Sequence, residues 1–213
     1  EAMLAAVLPG ADLTANVLAC SSAGGGLRLA VVGYERAVTA EAGHRVGLSA
    51  GAKVVHVAAG QLKRAALTAL VNARPDVVLL AGGTDGGNAE VLLANAATLA
   101  GAARLTGPIV VAGNVDVRDQ VEARLRSAGK HTIATANVLP RIGVLDPTPA
   151  RSAIREVFIR HVIGGKGLSR GTRFADMVRA ATPDAVLSGV ELLADGAGDV
   201  RGIGDVVVVD IGG

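Results

Sequence analysis

Residues 77–90 read VVLLAGGTDGGNAE, an apolar run that ends in a cluster of glycines. The apolar run predicts a buried parallel strand, and residues 89–99 predict the helix that follows it. The glycine loop between them (residues 82–88) consists of Gly82, Gly83, Thr84, Asp85, Gly86, Gly87 and Asn88. Ligands of open α/β sheets bind at the carboxyl ends of the strands. This loop therefore indicates where a site would lie.

Strands and helices alternate on both sides of the glycine loop. Apolar runs predict further strands at residues 27–34, 53–59, 108–113 and 131–136, and a helical segment follows each one at short distance. Such repeated βαβ units connect parallel strands through right-handed crossovers. The expected fold is an α/β domain with a doubly wound (Rossmann-like) parallel sheet of about five strands, followed by a helical subdomain and one further strand.

Prolines at positions 140, 147 and 149 mark a break after the alternating region. They divide the chain into four predicted parts. These are a leading segment (1–26), the α/β domain (27–147), a helical connector (148–204) and the start of a further unit (205–213).

Local signals predict two helix caps and three later elements. Thr39 and Asp116 are the expected N-caps of the helices after the first and fourth strands of the alternation. Helices are expected near residues 174–180 and 183–193, and a strand at 206–209 runs into a glycine turn. Because the chain opens without Met and stops in that turn, we expect an excised fragment.

Composition narrows the possible functions. The net charge is +2, and the Arg and Lys residues are scattered rather than clustered, which argues against nucleic-acid binding. The single cysteine, Cys20, excludes a disulfide within the chain and fits a reducing cytosol. No uninterrupted apolar stretch reaches the length of about 18 residues that a bilayer span requires. The sequence thus predicts a cytoplasmic protein without a membrane segment.

The glycine loop allows two interpretations. Glycines let the backbone approach a ligand closely or adopt positive φ, and Thr84, Asp85 and Asn88 can hydrogen-bond a ligand. Alternatively the loop is a tight turn without a ligand, in which Asn88 caps the following helix. It is not a phosphate-binding P-loop, because no Gly-Lys-Ser/Thr follows, and it lacks the position of a dinucleotide fingerprint.

Two asparagines, Asn114 and Asn137, each end a predicted strand on the same sheet edge as the glycine loop. With Thr84 and Asp85 they could converge on one crevice, although asparagine is also a common turn residue. We find no complete catalytic site: Cys20 has no motif around it, no histidine pair has metal-ligand spacing, and no carboxylates pair on one helical face. The sequence predicts neither a catalytic residue nor a metal site.

Six stretches of the chain resemble one known family, in the same order along the sequence. They are ACSSA with GGL within 19–27, LLAGGTDGGN at 79–88, VAGN at 111–114, NVLP at 137–140, IREVF at 154–158 and VVDIGG at 208–213. The family is that of the accessory proteins of adenosylcobalamin-dependent glutamate mutase and related aminomutases, called MutL. The glycine loop is the most specific of the six stretches.

The resemblance implies an actin-like ATPase that reactivates the mutase by exchanging damaged cobalamin for intact coenzyme. It implies ATP and Mg²⁺ as cofactors of the full-length parent, with Asp210, Gly212 and Gly213 in a phosphate loop that this chain leaves incomplete. Residues 205–213 would then begin a truncated ATPase half. The family's N-terminal phosphate loop of Asp-x-Gly-Ser/Thr type is not found, so we expect neither a bound cofactor nor ATP turnover in the fragment.

By the same resemblance, the α/β domain is inserted between two ATPase halves and is a candidate for contact with the mutase subunit. A non-catalytic fragment of a mutase-reactivating chaperone is thus the first hypothesis. The alternative is a stand-alone α/β module that binds a small molecule at the strand carboxyl ends around the glycine loop. A transferase or hydrolase is disfavoured, since no nucleophile, acid–base pair or metal cluster is evident.

Overall fold

The computed structural model describes residues 19–21, 27–157 and 178–209. Strands are numbered along the chain as β1 (Ala19–Ser21), β2 (Leu27–Gly33), β3 (Ala52–Ala59), β4 (Val77–Leu80), β5 (Ile109–Val111), β6 (Thr132–Ala134), β7 (Val178–Ala181), β8 (Gly196–Ala197) and β9 (Val200–Arg201). The helices are α1 (Arg36–Ser49), α2 (Arg64–Asn72), α3 (Glu90–Ala100), α4 (Arg118–Ser127), α5 (Thr148–Val157) and α6 (Thr182–Asp195).

A parallel sheet of five strands, in the order β3-β2-β4-β5-β6, forms the centre of the α/β domain. Its central strands are apolar on both faces because helices cover both faces; β4, for example, is fully buried. Side chains on one face pack against α1 and α5, and those on the other face pack against α2, α3 and α4. The predicted doubly wound α/β fold is confirmed.

The strand order contains one reversal of direction. From β2 the chain steps outward to β3, and it then returns past β2 to β4 on the other side. Right-handed crossovers place α1 and α2 on opposite faces of the sheet when the direction reverses in this way. The loops that leave β2 and β4 therefore diverge, and a crevice opens between them at the carboxyl ends of these strands.

Two expected helix caps are wrong in detail. Helix α1 begins at Arg36 rather than after Thr39, and the Thr39 amide donates to the Glu35 carbonyl oxygen at 2.7 Å within the first turn. Before α4, a 3₁₀ turn at Val115–Val117 is capped by the side chain of Asn114, and Asp116 lies inside that turn. Helix α1 thus begins before Thr39, and the 3₁₀ turn that leads into α4 begins before Asp116.

The region after α5 also differs from expectation. The described part of the helix predicted at 174–180 is strand β7, which pairs with β1 over Ala19–Ser21. Residues 205–209 do not form the predicted strand; Val207 and Val209 are 90% and 76% exposed, and no described strand pairs with them. The strands that follow α6 are instead the short antiparallel hairpin β8–β9.

Helix α6 is linked to α5 through Arg151, which donates to a Glu191 carboxylate oxygen at 2.8 Å and to the Ser188 hydroxyl oxygen at 3.0 Å. Among the described residues, no helix is both long enough and apolar enough to cross a bilayer.

Candidate functional site

The glycine loop follows β4 directly and depends on backbone conformations that favour glycine. Gly82, Gly83 and Gly86 have φ of +129°, +72° and +74°. A Cβ at Gly83 would overlap the carbonyl oxygen of Asn88, so the two ends of the loop lie in contact there. Glycine is thus required at Gly83 by space as well as by φ, whereas a Cβ at Gly86 would meet open space.

Asp85 and Asn137, both predicted site residues, meet at the carboxyl edge of the sheet. The Asn137 side-chain nitrogen donates to Oδ1 of Asp85 at 2.8 Å and to the Gly83 carbonyl oxygen at 2.9 Å. The same Asp85 oxygen accepts the amide of Val115 at 3.2 Å, and Oδ1 of Asn137 accepts the amide of Leu139 at 3.0 Å. These bonds connect the glycine loop to the segments after β5 and β6.

Asn114 makes a second set of contacts with the far end of the same loop. Its side-chain nitrogen donates to the Gly87 carbonyl oxygen at 3.1 Å, and its Oδ1 accepts the Asp116 amide at 2.9 Å. Asp116 in turn accepts the amide of Gly86 at 2.9 Å. Asn114 is 1% exposed and Asn137 is 2% exposed. In the folded chain these hydrogen bonds therefore replace those that their side-chain amides would make with water.

These hydrogen bonds bring most of the predicted site residues together, and through them the side chains hold the glycine loop in place. Asp85, Asn114 and Asn137 converge on the glycine loop, where they hydrogen-bond protein groups. Oδ1 of Asn88 accepts the amide of Glu90, the first residue of α3, at 3.0 Å, while the N-cap position of that helix is Ala89. Thr84 differs, because it faces a cleft beside the loop.

This switch-point cleft has a volume of about 260 Å³ and lies between the first two turns of α1, the glycine loop and the segment after β6. It is lined by Tyr34, Glu35, Val38, Thr39, Ala42, Ala81, Gly82, Gly83, Thr84, Asn88, Val138, Leu139, Ile142 and Gly143. Its position at the carboxyl ends of β2 and β4 is the usual ligand site of doubly wound sheets. Gly82, Gly83, Thr84 and Asn88 are the predicted residues that reach it.

The sequence patterns did not predict the residues that line the cleft on the side of α1. Tyr34, Glu35 and Thr39 follow β2 and carry no recognisable motif, yet the strand order places them opposite the glycine loop. Recognising the reversal after β3 would have identified them, because the loop after the first strand of a doubly wound sheet always flanks the switch point.

Two ionisable groups outside the cleft have perturbed titration. Burial lowers the pKa of His56, whose Nε2 is buried and has no hydrogen-bond partner in the part of the chain that the structure describes. Burial also lowers the pKa of Lys130, whose ammonium donates to the carbonyl oxygens of Ala102 and Leu105 at 2.6 and 2.8 Å. Neither group lines the cleft, and no three metal-binding side chains cluster in the described part of the chain. Asp210, Gly212 and Gly213 lie outside the described residues.

The sheet order and the cleft define a doubly wound α/β domain with an open switch point. The chain belongs to the MutL protein family, whose profile matches residues 2–213. It is 43% identical over 196 residues to Protein MutL from Clostridium tetanomorphum, in an alignment that covers 92% of this chain. The chain spans about 42% of the length of that relative.

Proposed function

We propose that this chain is the mutase-contacting part of an accessory protein for an adenosylcobalamin-dependent mutase, with glutamate mutase as its partner. Family membership over nearly the whole chain carries the proposal. In the longer protein this part would assist an ATP-dependent exchange of damaged cobalamin for intact coenzyme. Asp210, Gly212 and Gly213 would begin a phosphate loop there for ATP and Mg²⁺, and the chain alone would not turn over ATP.

The carboxyl edge of the sheet is the surface that we assign to the mutase. It combines a braced loop with exposed apolar side chains on the neighbouring turn, where Ile142 is 91% and Val144 is 48% exposed. The Arg141 carbonyl oxygen accepts the Val144 amide at 3.0 Å, which fixes the turn that carries them. Exposed apolar groups on a pre-organised surface favour protein contact because little ordering entropy is lost on binding.

A binding measurement with purified glutamate mutase tests this assignment. Ile142→Asp should weaken capture of the mutase on a sensor that carries the 213-residue chain by at least about tenfold, because a charge then replaces an apolar contact. Ile203→Asp is the matched control, since Ile203 is 67% exposed in the segment after the β8–β9 hairpin. If Ile142→Asp and Ile203→Asp bind the mutase equally well, the carboxyl edge of the sheet is not the contact surface. If the wild-type chain does not bind the mutase, the proposed contact is refuted.

Reactivation is tested separately with the full-length protein. Inactivated mutase should regain activity when ATP, Mg²⁺ and free adenosylcobalamin are added together, and it should not do so without ATP. Recovery that is independent of the nucleotide would contradict the ATP-dependent mechanism while leaving the mutase contact intact.

A small-molecule-binding module is the second candidate function, and the switch-point cleft is the observation that favours it. The two functions are compatible, because the cleft lies beneath the exposed edge and a partner could cover both. They are separated by whether the isolated chain binds a small molecule in the absence of the mutase.

A further inference from the structure

The switch-point cleft contains a hydroxyl that the fold does not use. Thr39 is 4% exposed and lines the cleft, and its hydroxyl has no hydrogen-bond partner among the described residues. Its side chain packs so closely on Gly33 that a Cβ there would overlap it. Valine would fill the same space, so packing alone does not need this hydroxyl, and it is available to hydrogen-bond a ligand in the cleft.

Further polar groups line the same cleft. Thr84 is half-buried with a hydroxyl that is also unpartnered among the described residues, and Glu35 contributes an exposed carboxylate. The remaining walls are apolar, with Val38 and Ala42 on one side and Val138 on the other. A few polar groups around an apolar interior are typical of small-molecule sites.

The charge of the lining restricts the ligand. Glu35 is the charged side chain among the lining residues, and they include no Lys or Arg. A phosphate group brought into this cleft would meet a carboxylate without a compensating cation, which is unfavourable. An uncharged molecule avoids this penalty, and adjacent hydroxyls on it could both donate to the Glu35 carboxylate, as a ribose diol does to the acidic residue of dinucleotide sites.

We propose that the switch-point cleft binds an uncharged nucleoside. Tyr34 is 43% exposed at the rim and offers an aromatic face for the base. Glu35 would accept the ribose hydroxyls, and Thr39 and Thr84 would bond the polar edge of the base. The cleft volume of about 260 Å³ suits a small ligand, since pockets for drug-sized molecules begin at roughly 300 Å³.

Calorimetric titration of the 213-residue chain with adenosine tests the proposal. We expect saturable binding at one site, and binding of ATP at least about tenfold weaker because of its charge. Thr39→Val should weaken adenosine binding by roughly five- to tenfold. Thr39→Ser should bind adenosine about as tightly as the wild type, because serine keeps the hydroxyl. Thr68→Val, at an exposed position on α2, is the matched control and should bind as wild type.

Three results would overturn the proposal: no adenosine binding at millimolar concentration, ATP binding as tightly as adenosine, or unchanged affinity in Thr39→Val. If Thr39→Val fails to fold, Glu35→Gln carries the test, because Glu35 is exposed and its replacement should weaken adenosine binding without unfolding the chain. Loss of adenosine binding leaves the mutase contact untouched, because capture of the mutase on the sensor is measured in the absence of adenosine.

Discussion

The side-chain nitrogen of Asn137 lies 2.8 Å from Oδ1 of Asp85 and ties the end of the sheet to a loop 52 residues earlier. The same nitrogen reaches the carbonyl oxygen of Gly83 at 2.9 Å. Long-range bonds from a buried amide therefore hold the glycine loop, in addition to the local backbone turn. Substitutions at either residue should alter loop geometry as well as any contact that the loop makes.

Asn137→Ala should lower the free energy of unfolding by about 2 kcal/mol, because it removes the side-chain donor to the Gly83 carbonyl oxygen, one of two donors to Oδ1 of Asp85, and the acceptor of the Leu139 amide. Asn72→Ala is the control; Asn72 is exposed at the end of α2, and its removal should change stability by less than about 0.5 kcal/mol. Urea denaturation of both variants measures the difference. Similar midpoints for the two would show that the bracing contacts contribute nothing to stability.

Gly83→Ala and Gly86→Ala form a second matched pair. Both positions have positive φ, but a Cβ at Gly83 would overlap the Asn88 carbonyl oxygen and one at Gly86 would not. We expect Gly86→Ala to cost about 1 kcal/mol from backbone strain alone, and Gly83→Ala to cost at least about 1 kcal/mol more. Thermal melting of the two variants gives the comparison, and equal losses would contradict the overlap.

Asn95, on α3, offers a test of another buried side-chain amide. It is 1% exposed; its side-chain nitrogen donates to the Gly60 carbonyl oxygen at 2.9 Å, and its oxygen accepts the Leu62 amide at 2.7 Å. Asn95→Asp should lower the free energy of unfolding at pH 7 by about 2 kcal/mol, because a carboxylate then faces the Gly60 oxygen. Acidification should recover part of this loss relative to Asn72→Asp, since a protonated carboxyl can donate again.

The lowered pKa of His56 leads us to predict that the stability of the chain depends on pH. Burial lowers its pKa in the folded chain below the ordinary value of 6.5, so protonation favours the unfolded chain. The free energy of unfolding should therefore fall as the pH drops from 6.5 toward the lowered pKa, and this contribution should be constant above 6.5. Denaturation of His56→Leu across the same pH range should show a shallower acid slope. Identical slopes in the two proteins would exclude His56 as the cause.

Local sequence signals were enough to predict several of the residues at the carboxyl edge of the sheet. The glycine loop was predictable because an apolar run followed by glycines has few alternatives, and parallel strands bring their carboxyl ends to one edge. The convergence of Asn114 and Asn137 on that loop follows from the same geometry. Their bracing roles did not follow, because sequence alone does not show which hydrogen-bond partners lie within reach.

Features that depend on distant partners were not predictable. Strand β7 forms by pairing with β1, more than 150 residues earlier in the chain, where local pattern favoured a helix. The cleft could be located only from the strand order, and the position of the Thr39 hydroxyl in it became evident only once Gly33 and α1 were placed together. In each case the deciding interaction joins segments that no window of sequence contains.

The aromatic composition has a practical consequence at the cleft. Tyr34 is the single tyrosine of a chain without tryptophan, and it stands at the rim of the switch-point cleft. Tyrosine emission from this protein therefore originates at one known position. Steady-state fluorescence can follow events at the carboxyl edge without any attached label, and Tyr34→Phe supplies the dark reference.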